Sequence, residues 1–165
     1  MGGFDIMLFK DFHVDKIQQG DKIQTRRRIS RFKKGPKIGK VVPPLKVGSI
    51  QPCKTTMFGE SFAHVRIVKR WAERLGDISE DDAQLEGGYS KEDYVKGVSE
   101  MYGNTIDENE VLWVYEFVLV KLCSECGQVC DFSDQIWKCK PCNLEFGVMP
   151  LYVWYQSMSY REDLI

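Results

Sequence analysis

The sequence predicts an α+β protein, a small, partly open β-barrel with short helices on its flank and a four-cysteine zinc ribbon at its C-terminal end. Three observations predict it. Five or six apolar or alternating segments are interrupted by helical stretches too short and irregularly spaced for parallel βαβ winding. Two Ser-x-x-Asp patterns mark helix starts, at Ser79 and Ser90. Two Cys-x-x-Cys pairs stand twelve residues apart near the C-terminus. At 165 residues there is room for one ordinary domain plus an appendage. The expected division is a barrel domain over residues 1–121 and a ribbon with an aromatic tail over 122–165.

Asp5 to Phe9 reads as a first strand, with Ile6 and Leu8 alternating against Met7 and Phe9. Residues 11–19 follow as a short helix with Ile17 inward, and Gly20 closes it in the position glycine favours. Gly20-Asp21 turns the chain into a strand from Ile23. Period two there puts Ile23, Thr25 and Arg27 on one face and Gln24, Arg26 and Arg28 on the other. From Arg31 to Lys46, Gly35-Pro36, Gly39 and Pro43-Pro44 forbid long regular structure, and Lys33, Lys34, Lys37 and Lys40 punctuate the stretch. We read it as a mobile basic loop that orders on a polyanion.

Val47 to Ile50 resumes strand character, and Phe62 to Val68 alternates as another strand. Ser79 with Asp82 caps a helix that ends at Glu86, because Gly87-Gly88 does not continue it. Ser90 with Asp93 caps a second helix, to about Tyr102, whose buried stripe is Tyr94, Val98 and Met101. Val111 to Leu122 is a long strand, too short and too charged to span a bilayer.

The net charge of −1 conceals an asymmetry: residues 10–46 hold 12 Lys/Arg against 3 Asp/Glu, and the remainder 11 against 21. A concentrated basic segment on a near-neutral protein is the footprint of a phosphate-backbone partner. The plainer alternative is a solvated charge run balanced by acidic neighbours. The candidates for contacts with nucleic acid, single-stranded RNA first, are Arg26, Arg27, Arg28, Arg31, Lys33, Lys34, Lys37 and Lys40. No apolar stretch has the ~20 residues of a membrane helix, and no secretory pattern opens the chain, so the expected location is cytoplasmic. There is no Gly-rich phosphate loop, no His-Glu-x-x-His and no nucleophile elbow.

Cys123, Cys126, Cys139 and Cys142 carry the spacing with which two knuckles supply four thiolates to one tetrahedral zinc ion. Gly127 and Asn143, the residues after each pair, enter the left-handed conformation easily, as the chain turning back beyond a knuckle requires. Four sulfurs leave no open coordination position, so the zinc is structural. A redox role would use one such pair, not two. Cys130 is left over as an alternative ligand, and Cys53 reads as a small buried apolar side chain. Trp137, Lys138 and Lys140 would let the ribbon dock on nucleic acid, and a protein partner is the other use of such a module. Leu151 to Tyr155 reads as an aromatic strand packing the ribbon, with a base-stacking platform as the sharper alternative.

Gly20-x-Lys22-x-x-Thr25-x-Arg27 resembles the signature loop of the ASCH domain, a relative of the PUA fold. Met7-Leu8-Phe9-Lys10 before it, then Leu75-Gly76-Asp77-Ile78-Ser79, Glu86-Gly87 and Leu112 to Phe117, resemble that family's other blocks in order, across roughly residues 5–121. The resemblance implies a PUA-like barrel. ASCH-like proteins include RNA-binding modules, a reported ribonuclease and a small amidohydrolase that removes the acetyl group from 4-acetylcytidine. Carried onto this chain, the amidohydrolase's Lys, Thr and Glu fall on Lys22, Thr25 and Glu86.

The chemistry implied is a Thr25 nucleophile, activated by a Lys22 whose pKa is lowered by burial and neighbouring cations such as Arg27. Glu86, at a helix C-terminus where carbonyls disfavour negative charge, is expected to have a raised pKa and to shuttle protons. The plainer alternative is an ordinary Lys22–Glu86 salt bridge, with Thr25 capping a backbone group. The basic loop and the ribbon, additions that the compact amidohydrolase lacks, favour a larger polyanion. Nucleic-acid binding with a base or nucleotide in the cleft therefore comes first, deacetylation of 4-acetylcytidine second and RNA cleavage third. A protein-interaction adaptor acting through the ribbon is a further alternative. His13 and His64 read as surface or packing residues. The geometry expected is one positively lined pocket with the Thr25 hydroxyl at its floor and the Glu86 carboxylate opposite.

Overall fold

The computed structural model describes residues 6–133 and 136–148, so the Leu151–Tyr155 segment and Asp5 lie outside the described residues. The fold is α+β. Its main sheet has five strands in the order β1-β3-β4-β5-β2, and a second sheet has the order β6-β7-β8. The main-sheet strands are β1 (Met7–Leu8), β2 (Gln24–Arg28), β3 (Ile50–Lys54), β4 (Ala63–Arg74) and β5 (Val111–Val120). β1 runs parallel to β3, whereas β3 with β4 and β2 with β5 are antiparallel. Short helices interrupt the strands: α1 (Val14–Gln19), α2 (Glu80–Leu85) and α3 (Lys91–Met101). The chain forms two compact units. One holds the residues up to Asp21, Ile50–Arg66 and those from Val118 onward, and the other holds Lys22–Ser49 and Ile67–Phe117.

In the first unit, the opening strand is only two residues long, shorter than its alternation suggests. A 3-10 turn at Asp11–His13 leads into α1, and Gly20 ends it at φ 81°, the left-handed cap its sequence calls for. Ile17 and Cys53 are buried, as expected. The strand expected from Val47 begins at Ile50 instead. Gly48, at φ 85°, makes a turn there that an extended chain excludes. The small sheet consists of β6 (Asp131–Ser133), β7 (Ile136–Cys139) and β8 (Leu144–Val148), all antiparallel.

In the second unit, Ser79 Oγ accepts from Asp82 N at 3.0 Å and Ser90 Oγ from Asp93 N at 3.1 Å, so both helices start where the caps place them. Tyr94 and Val98 join Leu75, Ile78, Ala83, Ile106 and Leu112 in one core cluster. Met101 does not belong to the buried stripe; it is 52% exposed, because the helix ends there and its last turn runs past the core. β4 also continues six residues beyond Val68, to Arg74. Its charged second half hides the strand in the sequence, and those charges are tolerated because they are exposed or, like Glu73, ion-paired. The loop after β2 is irregular but held by its own backbone: Arg31 bridges Val41, Gly39 N donates to Phe32 O at 2.9 Å and Val42 N to Ser30 O at 2.8 Å.

Candidate functional site

β2 and the end of α2 build the site. Backbone bonds fix the two together, with Ile23 N donating to Leu85 O at 3.0 Å and Phe117 N to Ile23 O at 2.9 Å. Gly87 and Gly88 then carry the chain away at positive φ, which leaves Glu86 at the α2 C-cap facing Lys22. Lys22 Nζ donates to Glu86 Oε2 at 2.8 Å, to the Glu86 carbonyl at 2.7 Å and to the Gln24 carbonyl at 2.9 Å. All three ammonium protons are thereby used. Arg26 Nη1 donates to Glu86 Oε1 at 2.8 Å, and its Nε and Nη2 reach Glu73 Oε2 at 3.2 and 2.6 Å. Gln24 Nε2 donates to Asp82 Oδ1 at 2.9 Å and to Glu116 Oε2 at 3.3 Å. Tyr94 also hydrogen-bonds the Glu86 carboxylate, and the Arg26 guanidinium lies 5.9 Å from the centroid of its ring.

These groups are deeply buried, with the Lys22 and Glu86 side chains 2% and 1% exposed. Burial pushes the Lys22 ammonium below its ordinary pKa of 10.5; Glu86 opposes this, while Arg27 and Arg26 add to it. The direction is the one expected from the sequence. Burial alone would raise the Glu86 carboxyl, but the Lys22 and Arg26 charges and their hydrogen bonds outweigh it and hold the group below its ordinary 4.5. This corrects the expectation of a raised Glu86 pKa. The carbonyls of a helix end are a weak local field beside two cations within 3 Å. The same pairing explains both shifts, since the carboxylate has two cations and Lys22 has one carboxylate shared with a guanidinium. Burial and the Glu86 charge push Tyr94 well above 10, which keeps it a hydrogen-bond donor.

Lys22 and Glu86 thus meet directly, and Thr25 does not join them. Its neighbours Gln24 and Arg26 both reach α2 residues, so alternation turns Thr25 to the other face of β2. There it stands opposite Tyr115 in register and is buried, 5% exposed. The single pocket with Thr25 beneath Glu86 is therefore not what the register produces. Nor is the Glu86 side positively lined, because Glu73, Asp82, Glu86 and Glu116 surround two cations and a glutamine.

The basic residues divide in the same way. Arg26 is buried and ion-paired with Glu73, Asp82 and Glu86. Arg28 pairs with Glu110 at 3.1 Å, and Arg31 Nη1 donates to the Gly39 carbonyl at 2.8 Å. Lys33, Lys34, Lys37 and Lys40 are exposed, and among the described residues none of them has an acidic partner; the Lys37 ammonium lies 5.9 Å from the Phe32 ring centroid. Sequence reasoning missed Gln24, Glu73, Asp82, Tyr94 and Glu116. The one signal available is the every-second-residue spacing of Lys22, Gln24 and Arg26, which puts two cations on one strand face.

The sulfurs of Cys123 and Cys126, in the turn after β5, and of Cys139 and Cys142, where β7 turns into β8, all lie within 4.8 Å of one another, a geometry compatible with one metal ion. A tetrahedral ion with ~2.3 Å bonds to sulfur sets its ligands ~3.8 Å apart, and Cys126 Sγ and Cys139 Sγ are 3.5 Å apart. Gly127 and Asn143 take positive φ after each knuckle, as the sequence predicts. The backbone N–H groups of Cys126 and then Glu125 help to pull the Cys123 thiol down to about 7. Cys130 is buried beside this set without belonging to it. Trp137 is packed in the ribbon core, and Lys138 and Lys140 pair with Glu145 and Asp131 at 3.7 and 2.7 Å.

No protein-family model matches the chain, and no curated protein sequence does. Among solved structures, it is similar to protein EF3133 of the family DUF984 from Enterococcus faecalis V583, with 19% identity over 78% of this chain and 87% of that one and a TM-score of 0.51. It is also similar to an ASCH domain from Lactobacillus crispatus JV V101, with 18% identity over 70% of this chain and 77% of that one and a TM-score of 0.49. Likeness at these identities shows a fold and no activity. The chain has the fold of the Enterococcus faecalis protein, in line with the ASCH, PUA-like fold that its sequence resembles.

Proposed function

We propose that this chain binds single-stranded nucleic acid, RNA first, through the basic loop that follows β2. One observation carries the reading: Lys33, Lys34, Lys37 and Lys40 are exposed on a backbone-held loop, and among the described residues none is spent on a carboxylate. Phosphates attract such cations by releasing condensed counterions, so affinity falls steeply with salt. The test is anisotropy of a labelled single-stranded RNA across a salt series. Binding that weakens with salt, with a slope flattened by about 2 in Lys33→Glu/Lys34→Glu/Lys37→Glu at ~0.7 per lost contact, supports the reading. Salt-independent binding, or none at micromolar protein, removes it.

In the same reading the four-cysteine cluster holds a structural zinc ion in a ribbon domain of residues 122–165, apart from a barrel domain of residues 1–121. The donor set fits: four sulfurs in two knuckles, with backbone N–H groups turned toward Cys123. Metal determination on purified protein tests it, and one zinc per chain is the expected result. Six unbridged cysteines suit a reducing, cytoplasmic location.

A second reading, hydrolysis of 4-acetylcytidine by Lys22, Thr25 and Glu86, is favoured by the lowered Lys22 pKa and its contact with Glu86. It requires Lys22 to give up one of three hydrogen bonds and Thr25 to act from the other strand face. Cytidine and acetate released by the wild type and not by Thr25→Ala would establish it; no product over hours would end it.

A further inference from the structure

The β2 face that carries Thr25 is built differently from the one that carries Gln24 and Arg26. Register places Thr25 opposite Tyr115 and Arg27 opposite Trp113. On β4, Glu73 points to Arg26, so period two turns Arg70, Ala72 and Arg74 to the Trp113 side. The Arg70 guanidinium confirms this, lying 5.8 Å from the centroid of the Trp113 ring. Arg70 and Arg74 are exposed, and neither has an acidic partner among the described residues. Arg70 Nη1 donates to the Leu45 carbonyl at 2.8 Å. Trp113 is half-buried, and its indole N–H, shielded from solvent, has no acceptor among the described residues. A buried donor without a partner is costly, and a ligand oxygen would satisfy it.

We propose that this face, with Arg27, Arg70, Arg74 and Trp113, is where the nucleic acid is gripped at a base, continuing the contact that the loop lysines make with phosphates. It rests on the nucleic-acid reading and names the residues that hold the chain beyond that loop. An aromatic flanked by arginines is what single strands need. Bases of any sequence stack on the ring, and guanidiniums pair with the phosphates on either side or stack in turn. Arg70 occupies the ring in the free protein. Binding exchanges that cation for a base and frees the guanidinium for a phosphate. A duplex keeps its bases stacked on one another and has no use for the ring, so the surface selects single strands.

The test is titration with oligouridylate, read by tryptophan fluorescence and by affinity. Wild type is expected to show saturable quenching that is lost in Trp113→Phe, although Trp71, Trp137 and Trp154 remain. Arg70→Glu/Arg74→Glu is expected to weaken binding at least tenfold and flatten the salt slope further, by ~0.7 per lost contact. Trp113→Ala is expected to weaken it about tenfold, the value of one stacked base. Because both arginines are exposed, their variant keeps the fold, and the quenching measurement needs no substitution to be made in the wild type. Unchanged affinity in both the arginine and Trp113→Ala variants, with binding lost only in the loop variant, overturns this inference and leaves the nucleic-acid reading standing. No binding by the wild type at micromolar protein overturns both.

Discussion

Lys22 and Arg26 belong to the same basic stretch as Lys33, Lys34 and Lys37, yet the two groups have become different materials. The first pair is buried and surrounded by Glu73, Asp82 and Glu86, while the lysines stand exposed on a loop without acidic partners among the described residues. Charge counted along the chain treats them alike. What separates them is which acids the fold delivers to them. Buried cations persist only with carboxylates at hydrogen-bond distance, and once so matched they hold the fold and have nothing left for a ligand. Exposed cations contribute little to the fold and keep their whole charge for a partner.

The comparison breaks most easily at Glu86. In Glu86→Ala, two buried cations lose the carboxylate between them, and the expected loss of stability is ~3–5 kcal/mol. Urea unfolding reads it as a lower midpoint with an unchanged slope. A loss of less than ~1 kcal/mol would mean that Glu73 and water replace Glu86, and the matched buried charges would not be what holds β2 to the end of α2.

Acid should reproduce that loss in the unaltered protein. The folded-state pKa of Glu86 lies below its ordinary 4.5, so the folded chain holds this proton less tightly than the unfolded one. The stability from its ionised form is therefore complete above about pH 4.5 and disappears as pH falls through the lower folded value. Lys22 has the opposite place on the scale. Its pKa is below 10.5 when folded, so stability rises with pH between that lowered value and 10.5. The difference in unfolding free energy between wild type and Glu86→Gln should shrink as pH drops below about 4.5. A difference that stays constant down to strong acid would show that the carboxylate's charge is not what stabilises it.

How much of this was legible in the sequence follows from how local each signal is. Caps, turns and knuckles are written within four residues, and Ser79, Ser90, Gly20, Gly127 and Asn143 all behave as their neighbours dictate. Strand ends are less local. β4 continues through Lys69, Arg70 and Arg74, where no apolar alternation announces it, because its partner strands and not its own side chains keep it extended. The site is the least local of all. The Lys22–Glu86 pairing came through because a motif named both residues. Gln24, Glu73, Asp82 and Glu116 are brought together across 92 residues of sequence by register and helix packing, which one sequence does not state. The position of Thr25 shows how such an error arises. The strand and its period hold, but the motif grouped Thr25 with Lys22 and Glu86 in one site, whereas Lys22 reaches Glu86 on the side that Gln24 and Arg26 share and alternation turns Thr25 to the other.

A smaller effect is expected at Ser90, whose hydroxyl caps α3, the helix that carries Tyr94 to Glu86. Ser90→Ala should cost ~1 kcal/mol, the usual value of a lost N-cap, read by the same urea titration. The acid-sensitive part of the stability should survive, because Lys22 and Arg26 remain on the carboxylate. If the pH dependence vanished as well, the tyrosine held by this helix would be setting the Glu86 ionisation more strongly than the two cations.

The smallest effect on stability is expected from the exposed group, and there the comparison is sharpest. Lys33→Glu/Lys34→Glu/Lys37→Glu reverses three charges, yet these side chains project from a loop closed by main-chain bonds such as Val42 N to Ser30 O. The unfolding midpoint should stay within ~0.5 kcal/mol of wild type. Affinity for single-stranded RNA should fall severalfold or more in the same protein, and most at low salt, where screening is weakest. A variant that lost stability in step with affinity would show these lysines bracing the fold as Lys22 does, and the distinction between matched and unmatched cations would fail at its most exposed point.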